Sequence, residues 1–281
     1  MNQEVFAAIG EAMKRGEEVA LVTIVAANGS TPQRIGAKML VFGDGRTVGT
    51  IGGGCYEHDA FWKATEVLKT RRPVTCRYEL NDDFAAETGL VCGGQMEVFI
   101  EPLETAPALY IFGAGHVGYF LARAAHEAGF QVHVVDDRAS FANRERFPDA
   151  ASVVVDDIPA WLATATLPPS AYAVIVTRGH RNDLDALRAL AGRDLRYLGL
   201  IGSRAKVKRV YDALIEDGGA TPNQLARVHA PIGLDIGAVT PQEIAVSILA
   251  ELIAVRRGKA DTLAAASLRW MPRLDGVPSN P

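Results

Sequence analysis

Two periodicities divide the chain. Over residues 2–15, Val5, Phe6, Ile9 and Met13 recur at helical spacing and Gly16 follows as a stop, which predicts an amphipathic opening helix. The runs at 19–25 and 37–42 are instead rich in strand formers and are separated by the turn-forming Gly29-Ser30-Thr31-Pro32. Gly43-Asp44-Gly45-Arg46 reads as a hairpin turn. It leads to a strand at 47–51, the run Gly52-Gly53-Gly54-Cys55, a helix over 56–69, and strands over 74–78 and 95–101. Together these predict a small α+β domain over 1–104, followed by a linker in Pro102-Leu103-Glu104-Thr105-Ala106-Pro107. From 105 to 281 the rhythm changes: apolar strands at 109–112, 131–136, 152–155, 172–177 and 196–201 alternate with helix-length segments. Among these are 204–217 and 241–256, the latter with Thr240 as N-cap and Pro241 in its first turn. That alternation predicts an α/β, Rossmann-like domain whose parallel sheet is covered by helices on both faces. The proline-rich tail from Met271 should fray.

At 281 residues, 48% hydrophobic and 22% charged, the chain has material for two cores. A net charge of −4 argues against a nucleic-acid partner. The local exception, Arg204-Ala205-Lys206-Val207-Lys208-Arg209, suits either one phosphate group or the solvated face of a helix. Three cysteines without paired spacing make neither a disulfide framework nor a zinc site, so no metal site is expected and the thiols should be reduced. The apolar runs fall short of a membrane span and no leader pattern opens the chain; a cytoplasmic protein with no membrane partner is expected.

Candidate chemistry gathers in two places. Residues 109–138 read as strand, Gly113-Ala114-Gly115-His116-Val117-Gly118, helix, strand and Asp136-Asp137-Arg138, a dinucleotide-binding fingerprint. Its glycines allow a tight turn, approach of a pyrophosphate to a helix N-terminus and close helix–strand packing, while the acid would hold a ribose hydroxyl. Ligands of open α/β sheets sit beyond the carboxyl ends of the strands. His116, Asp136, Asp137, Arg138, Arg178, His180, Asp183, Ser203, Arg204 and Lys206 should therefore face one anion-binding crevice. The second place comprises Gly29-Ser30-Thr31-Pro32, Gly49-Thr50-Ile51-Gly52-Gly53-Gly54-Cys55 and Leu90-Val91-Cys92-Gly93-Gly94, where glycine exposes backbone N–H groups as anion nests. Beside such turns Cys55 and Cys92 read either as thiols of lowered pKa, suited to sulfur handling, or as small buried residues. Cys76 falls in a strand-like alternation and reads as structural.

In order along the chain, Gly29-Ser30-Thr31-Pro32, Gly49-Thr50-Ile51-Gly52-Gly53-Gly54-Cys55-Tyr56-Glu57, Val91-Cys92-Gly93-Gly94, Phe112-Gly113-Ala114-Gly115-His116-Val117, Val135-Asp136-Asp137-Arg138, Thr177-Arg178-Gly179-His180, Leu200-Ile201-Gly202-Ser203-Arg204 and Pro231-Ile232-Gly233-Leu234-Asp235-Ile236-Gly237 resemble the XdhC/CoxI family. The resemblance covers nearly the whole chain. It implies an N-terminal XdhC/CoxI domain and a C-terminal Rossmann-like domain. It also implies an accessory protein, more a cofactor-insertion chaperone than a stand-alone enzyme. Such a protein binds molybdenum cofactor (molybdopterin or its dinucleotide form), holds it for sulfuration by a cysteine desulfurase and inserts it into an apo xanthine dehydrogenase-type molybdenum hydroxylase. A homodimer is expected. With the residue reading, it points to Gly52, Gly53, Gly54, Gly93, Gly94, Gly113, Gly115, His116, Gly118, Asp136, Asp137, Arg138, Arg178, His180, Ser203 and Arg204 for cofactor binding, and to Cys92 and Cys55 for sulfur or cofactor handling. Members specific for xanthine dehydrogenase tend to carry adjacent cysteines before the Gly-Gly pair, whereas here Val91 precedes Cys92. Residues 109–138 alone also fit an NAD(P)-dependent oxidoreductase or a dinucleotide-sensing module, with NAD(P) or another nucleotide in the Rossmann-like site. Against the oxidoreductase, no separate catalytic domain of usual size follows the sheet.

Overall fold

The computed structural model describes residues 2–79, 94–103, 106–259 and 261–272. The chain divides into two compact units, Met1–Ala106 and Pro107–Pro281. The first contains α1 (Gln3–Arg15), β1 (Val19–Asn28), β2 (Lys38–Phe42), β3 (Thr47–Gly49), α2 (Gly54–Thr70), β4 (Val74–Glu79) and β5 (Gln95–Leu103). Its strands pair antiparallel in the order β3-β2-β1-β5-β4. Alternation along β1 sends Ala20, Val22 and Ile24 into the core shared with α2, and Val19 and Leu21 into the core shared with α1.

The face that α1 buries differs from the expected one. Val5 and Ala12 are buried and Ala8 and Ile9 pack beside them, whereas Phe6 and Met13 stay 57% and 45% exposed. The packing stripe runs i, i+3, i+4, i+7 through two alanines, whose small side chains let the helix lie close to the sheet; large side chains alone pointed one step around the wheel. Strand β3 ends early because Gly49 turns to φ 83°. Helix α2 begins at Gly54, two residues before the expected start, and β5 continues through Pro102 to Leu103.

The second unit contains β6 (Ala108–Phe112), α3 (His116–Glu127), β7 (Gln131–Asp136), β8 (Ser152–Val155), α4 (Ile158–Thr164), β9 (Tyr172–Ile175), α5 (His180–Leu190), β10 (Tyr197–Leu200), α6 (Arg204–Glu216), α7 (Pro222–Leu225) and α8 (Pro241–Arg256). All five strands are parallel, in the order β10-β9-β6-β7-β8. The sheet is thus wound outward from β6 in both directions, and its order reverses between β6 and β9. Phe112, Val135, Ile175 and Leu200 pack on one face against α4, α5 and α6; Ile111, Val134 and Val174 pack on the other against α3 and α8. Every residue of β9 and β10 is buried, as a two-sided parallel sheet requires. Thr240 and Glu243 form a capping box at the start of α8. Among the described residues no helix is long and apolar enough to cross a membrane. The tail expected to fray lies, from residue 273 on, outside the described residues.

Candidate functional site

The reversal of strand order sets the loops after β6 and β9 side by side at the carboxyl edge of the parallel sheet, where open α/β folds bind ligands. The glycines there divide into two kinds. A Cβ on Gly113, at φ 119°, would collide with the backbone of Val176 and Thr177, and one on Gly118 would collide with the Gly113 carbonyl. These two glycines permit close packing of β6, β9 and α3. Gly115 and Gly179, by contrast, have open space where a Cβ would point. They are the N-caps of α3 and α5, and neither helix has a side-chain cap. First-turn amides of two helices without a side-chain cap therefore lie at one edge, an arrangement suited to phosphate. His116, exposed, begins α3; His180 begins α5.

The acids after β7 have separate surroundings. Asp136 is only 4% exposed. Its Oδ2 accepts the Ala114 amide at 2.8 Å and Arg138 Nη2 at 2.8 Å, and its Oδ1 accepts the Arg138 amide at 3.0 Å and Nε at 2.8 Å. Burial alone would raise its pKa, but the Arg138 guanidinium and the Ala114 amide outweigh that and hold the carboxyl below its ordinary range. Both oxygens of Asp136 thus fasten the glycine turn and Arg138. Asp137 is the exposed acid, and it meets Arg178 Nη2 from the loop after β9 at 3.0 Å.

Deeper in the edge, buried Asp183 of α5 accepts the Thr177 hydroxyl at 2.6 Å and pairs with Lys206 Nζ, tying α5 to the loop after β9 and to the first turn of α6. Gly202 leaves the room in which the Lys206 stem lies. The Ser203 hydroxyl caps α6 through the Lys206 amide, and Arg204 is exposed beside it.

In the first unit the glycine loops converge. A Cβ on Gly94 would lie 2.5 Å from the carbonyl oxygens of Asn28 and Ser30, and one on Gly52 would lie 2.8 Å from Pro32 Cβ. The nest at 51–53 is already filled: the Ile51 and Gly53 amides each donate to Glu57 Oε2 at 2.9 Å, and the Thr50 hydroxyl donates to the same oxygen. Burial opposes ionisation of Glu57, yet these hydrogen bonds keep its carboxyl below the ordinary range. The Gly52 amide in turn binds the Thr50 hydroxyl at 3.0 Å. The nest thus holds an anion of the chain's own, the Glu57 carboxylate. Gly54 and Cys55 open α2, with Cys55 exposed. Cys76 is buried in the core of this unit. Cys92 and Gly93 lie outside the described residues. Among the described residues no group of three or more His, Cys, Asp or Glu side chains could hold a metal ion.

Three structural anchors escape a reading of the sequence. Glu57 is one; its signal is an acid in the first turn of a helix that follows a glycine run. Arg146, which donates to the Ala114 carbonyl at 3.2 Å and lies over Phe141, falls in the irregular segment after β7, where no period marks it. Glu251 is the third, an acid inside the apolar run Ile248-Leu249-Ala250-Glu251-Leu252-Ile253-Ala254. It accepts the Tyr197 hydroxyl at 2.5 Å, the Ser267 hydroxyl at 2.8 Å and the Gly233 amide at 2.9 Å, and it faces His229 Nδ1 at 3.1 Å.

Comparison with known proteins agrees with this architecture. The family model of the XdhC Rossmann domain matches residues 109–252, and that of the XdhC and CoxI family matches residues 12–79. The chain is 38% identical over 238 residues to the uncharacterized protein YqeB of Escherichia coli (strain K12), covering 84% of this chain but 43% of that protein, so it spans less than half of that relative. It is 27% identical over 320 residues to a probable xanthine dehydrogenase subunit from Bacillus subtilis (strain 168), covering 86% and 94% of the two chains. It is 26% identical over 279 residues to the molybdenum cofactor insertion chaperone PaoD of Escherichia coli (strain K12), covering 88% and 86%. The chain belongs to the XdhC and CoxI family, and its second unit carries the XdhC Rossmann domain.

Proposed function

We propose that this protein is a molybdenum-cofactor-binding accessory protein: it holds the cofactor, as molybdopterin or its dinucleotide form, for sulfuration by a cysteine desulfurase and inserts it into an apo xanthine dehydrogenase-type hydroxylase. The observation that carries the reading is the pair of open, uncapped glycine N-caps, Gly115 and Gly179, at the reversal point of the parallel sheet, in a chain similar to a molybdenum cofactor insertion chaperone. A phosphate or pyrophosphate is the group such amides hold best. Arg178 and Arg204, both exposed, supply cationic reach at the same edge. The side chains there bind and orient; the molybdenum centre is cargo, and its chemistry belongs to the enzyme that receives it. Cys55 and Cys92 are the thiols proposed to take part in sulfur handling, and Cys76, buried among apolar side chains, is not.

The test is to purify the protein from a molybdopterin-producing host, measure bound molybdenum and pterin, and add it to an apo-hydroxylase. Retention of both with increased hydroxylase activity supports the proposal, and absence of retention together with no increase overturns it. Cys92→Ala should lower client activation more than Cys76→Ala; equal loss with folding intact would remove the thiol assignment.

A further inference from the structure

We infer that the crevice selects a nucleotide whose ribose 2′-hydroxyl is free over one carrying a 2′-phosphate, and that Asp137, not Asp136, reads that hydroxyl. The inference rests on the proposed reading of the crevice as the site of a phosphate-bearing nucleotide. In dinucleotide-binding sheets the residues at the end of the second strand face the ribose: an acid accepts the 2′-hydroxyl, and a free arginine accommodates a 2′-phosphate. Here that strand is β7. Asp136 has its oxygens taken by Ala114 and Arg138. Asp137 is 41% exposed and engages the side chain of Arg178 from the loop after β9, on the far side of the glycine turn.

No arginine of the segment after β7 is left for a 2′-phosphate. Arg138 is pinned by both oxygens of Asp136, with its face 3.8 Å over the Phe141 ring. Arg144 is bound to the carbonyls of Ala150 and Ala151, and Arg146 to that of Ala114. A 2′-phosphate would meet the carboxylate of Asp137, a like charge. A free hydroxyl would instead donate to Asp137 once Arg178 turns from that acid to the ligand's phosphates. The exposed Asp137–Arg178 pair contributes little by itself, so exchanging it for ligand contacts costs little.

NAD+ and NADP+ differ only in the 2′-phosphate and serve as probes, with inorganic pyrophosphate as a ribose-free control, in calorimetric titrations of the full chain. The wild type should bind NAD+ at least about tenfold more tightly than NADP+, and Asp137→Asn should bring that ratio below about threefold. Pyrophosphate should bind Asp137→Asn at least as well as wild type, because Arg178 is released. Asp137→Arg should favour NADP+. Thermal melts check that the variants fold. Equal wild-type affinity for the two dinucleotides, or a ratio unchanged in Asp137→Asn, overturns the inference and leaves the crevice a nucleotide site. Failure of all three probes to bind removes both readings. Discrimination by a protein that retains no molybdenum cofactor would leave the inference standing and overturn the chaperone role.

Discussion

Asp136 Oδ2 accepts the Ala114 amide at 2.8 Å, joining the end of β7 to the turn that follows β6. The same carboxylate grips Arg138 through both guanidinium bonds, so one acid fixes the turn's position and the course of the chain after β7. Asp136→Asn keeps the shape but replaces an acceptor with an amide donor beside Ala114 and leaves Arg138 only the exposed Asp137, 3.8 Å from its Nε, as counter-charge. The expected loss is about 3 kcal/mol, as for breaking a buried pair. Asp137→Asn, at an exposed pair, should stay within about 1 kcal/mol of wild type. Urea unfolding of both variants checks the contrast, and equal midpoints would show that Asp136 is no anchor.

The glycines of the fingerprint should separate by experiment as they do by geometry. Gly118→Ala forces a methyl group against the Gly113 carbonyl, so the second unit should unfold or lose several kcal/mol, the range for overpacking a fixed backbone contact being about 1–3 kcal/mol and occasionally more. Gly115→Ala meets open space at an ordinary negative φ, so it should cost only the alanine penalty of an N-cap, about 1 kcal/mol. Its effect should appear in pyrophosphate affinity, where a methyl group stands in the path of the anion. Calorimetry beside thermal melts distinguishes the two outcomes. A Gly115→Ala protein that binds pyrophosphate like wild type would place the anion elsewhere.

The fold was legible because its signals are local. Val132, Val134 and Val135 in β7, and the unbroken apolar residues of β9, announce buried parallel strands, and the Gly113–Gly118 spacing announces the turn between β6 and α3. What the sequence could not show is which polar atoms are already spent. The bonds of Asp136 to Ala114 and Arg138, and of Glu57 to the amides at 51 and 53, appear only in the folded chain. The Ala114–Asp136 bond, across 22 residues, is set by the folded geometry, whereas Glu57 lies one helical turn from Gly53 and is signalled by an acid in that turn. For α1, the alanine stripe carries little hydrophobic signal yet fixes the face that packs.

Glu57→Gln tests the filled nest. Glutamine retains a carbonyl acceptor but loses the charge that three donors on one oxygen favour. The loop at 50–54 should loosen, seen as faster amide hydrogen exchange at Ile51 and Gly53, while the buried core of the first unit keeps its protection. Client activation should fall without loss of the folded unit. Unchanged exchange at those two amides would mean that the loop is held by packing against Pro32 instead.

The pH dependence of stability should carry the mark of Glu251. Burial opposes its ionisation, but His229, the Tyr197 hydroxyl and the Gly233 amide outweigh it and hold the carboxyl at about 2, against an ordinary 4.5. As pH falls, the unfolded chain takes up this proton first, so the contribution is complete above about pH 4.5 and is lost progressively toward about pH 2. A shift of this size corresponds to about 3 kcal/mol. Many carboxylates titrate in this range, so the informative quantity is the gap between wild type and Glu251→Gln. Glutamine has no proton to gain, and it leaves Tyr197, Ser267 and Gly233 around a neutral group. The gap in urea-unfolding free energy should narrow steadily as pH is lowered from about 5 to 3, through the interval between the ordinary and the lowered value. A gap that stays constant across that range would show that Glu251 holds the Gly233 loop by shape and hydrogen bonding, with its charge contributing nothing.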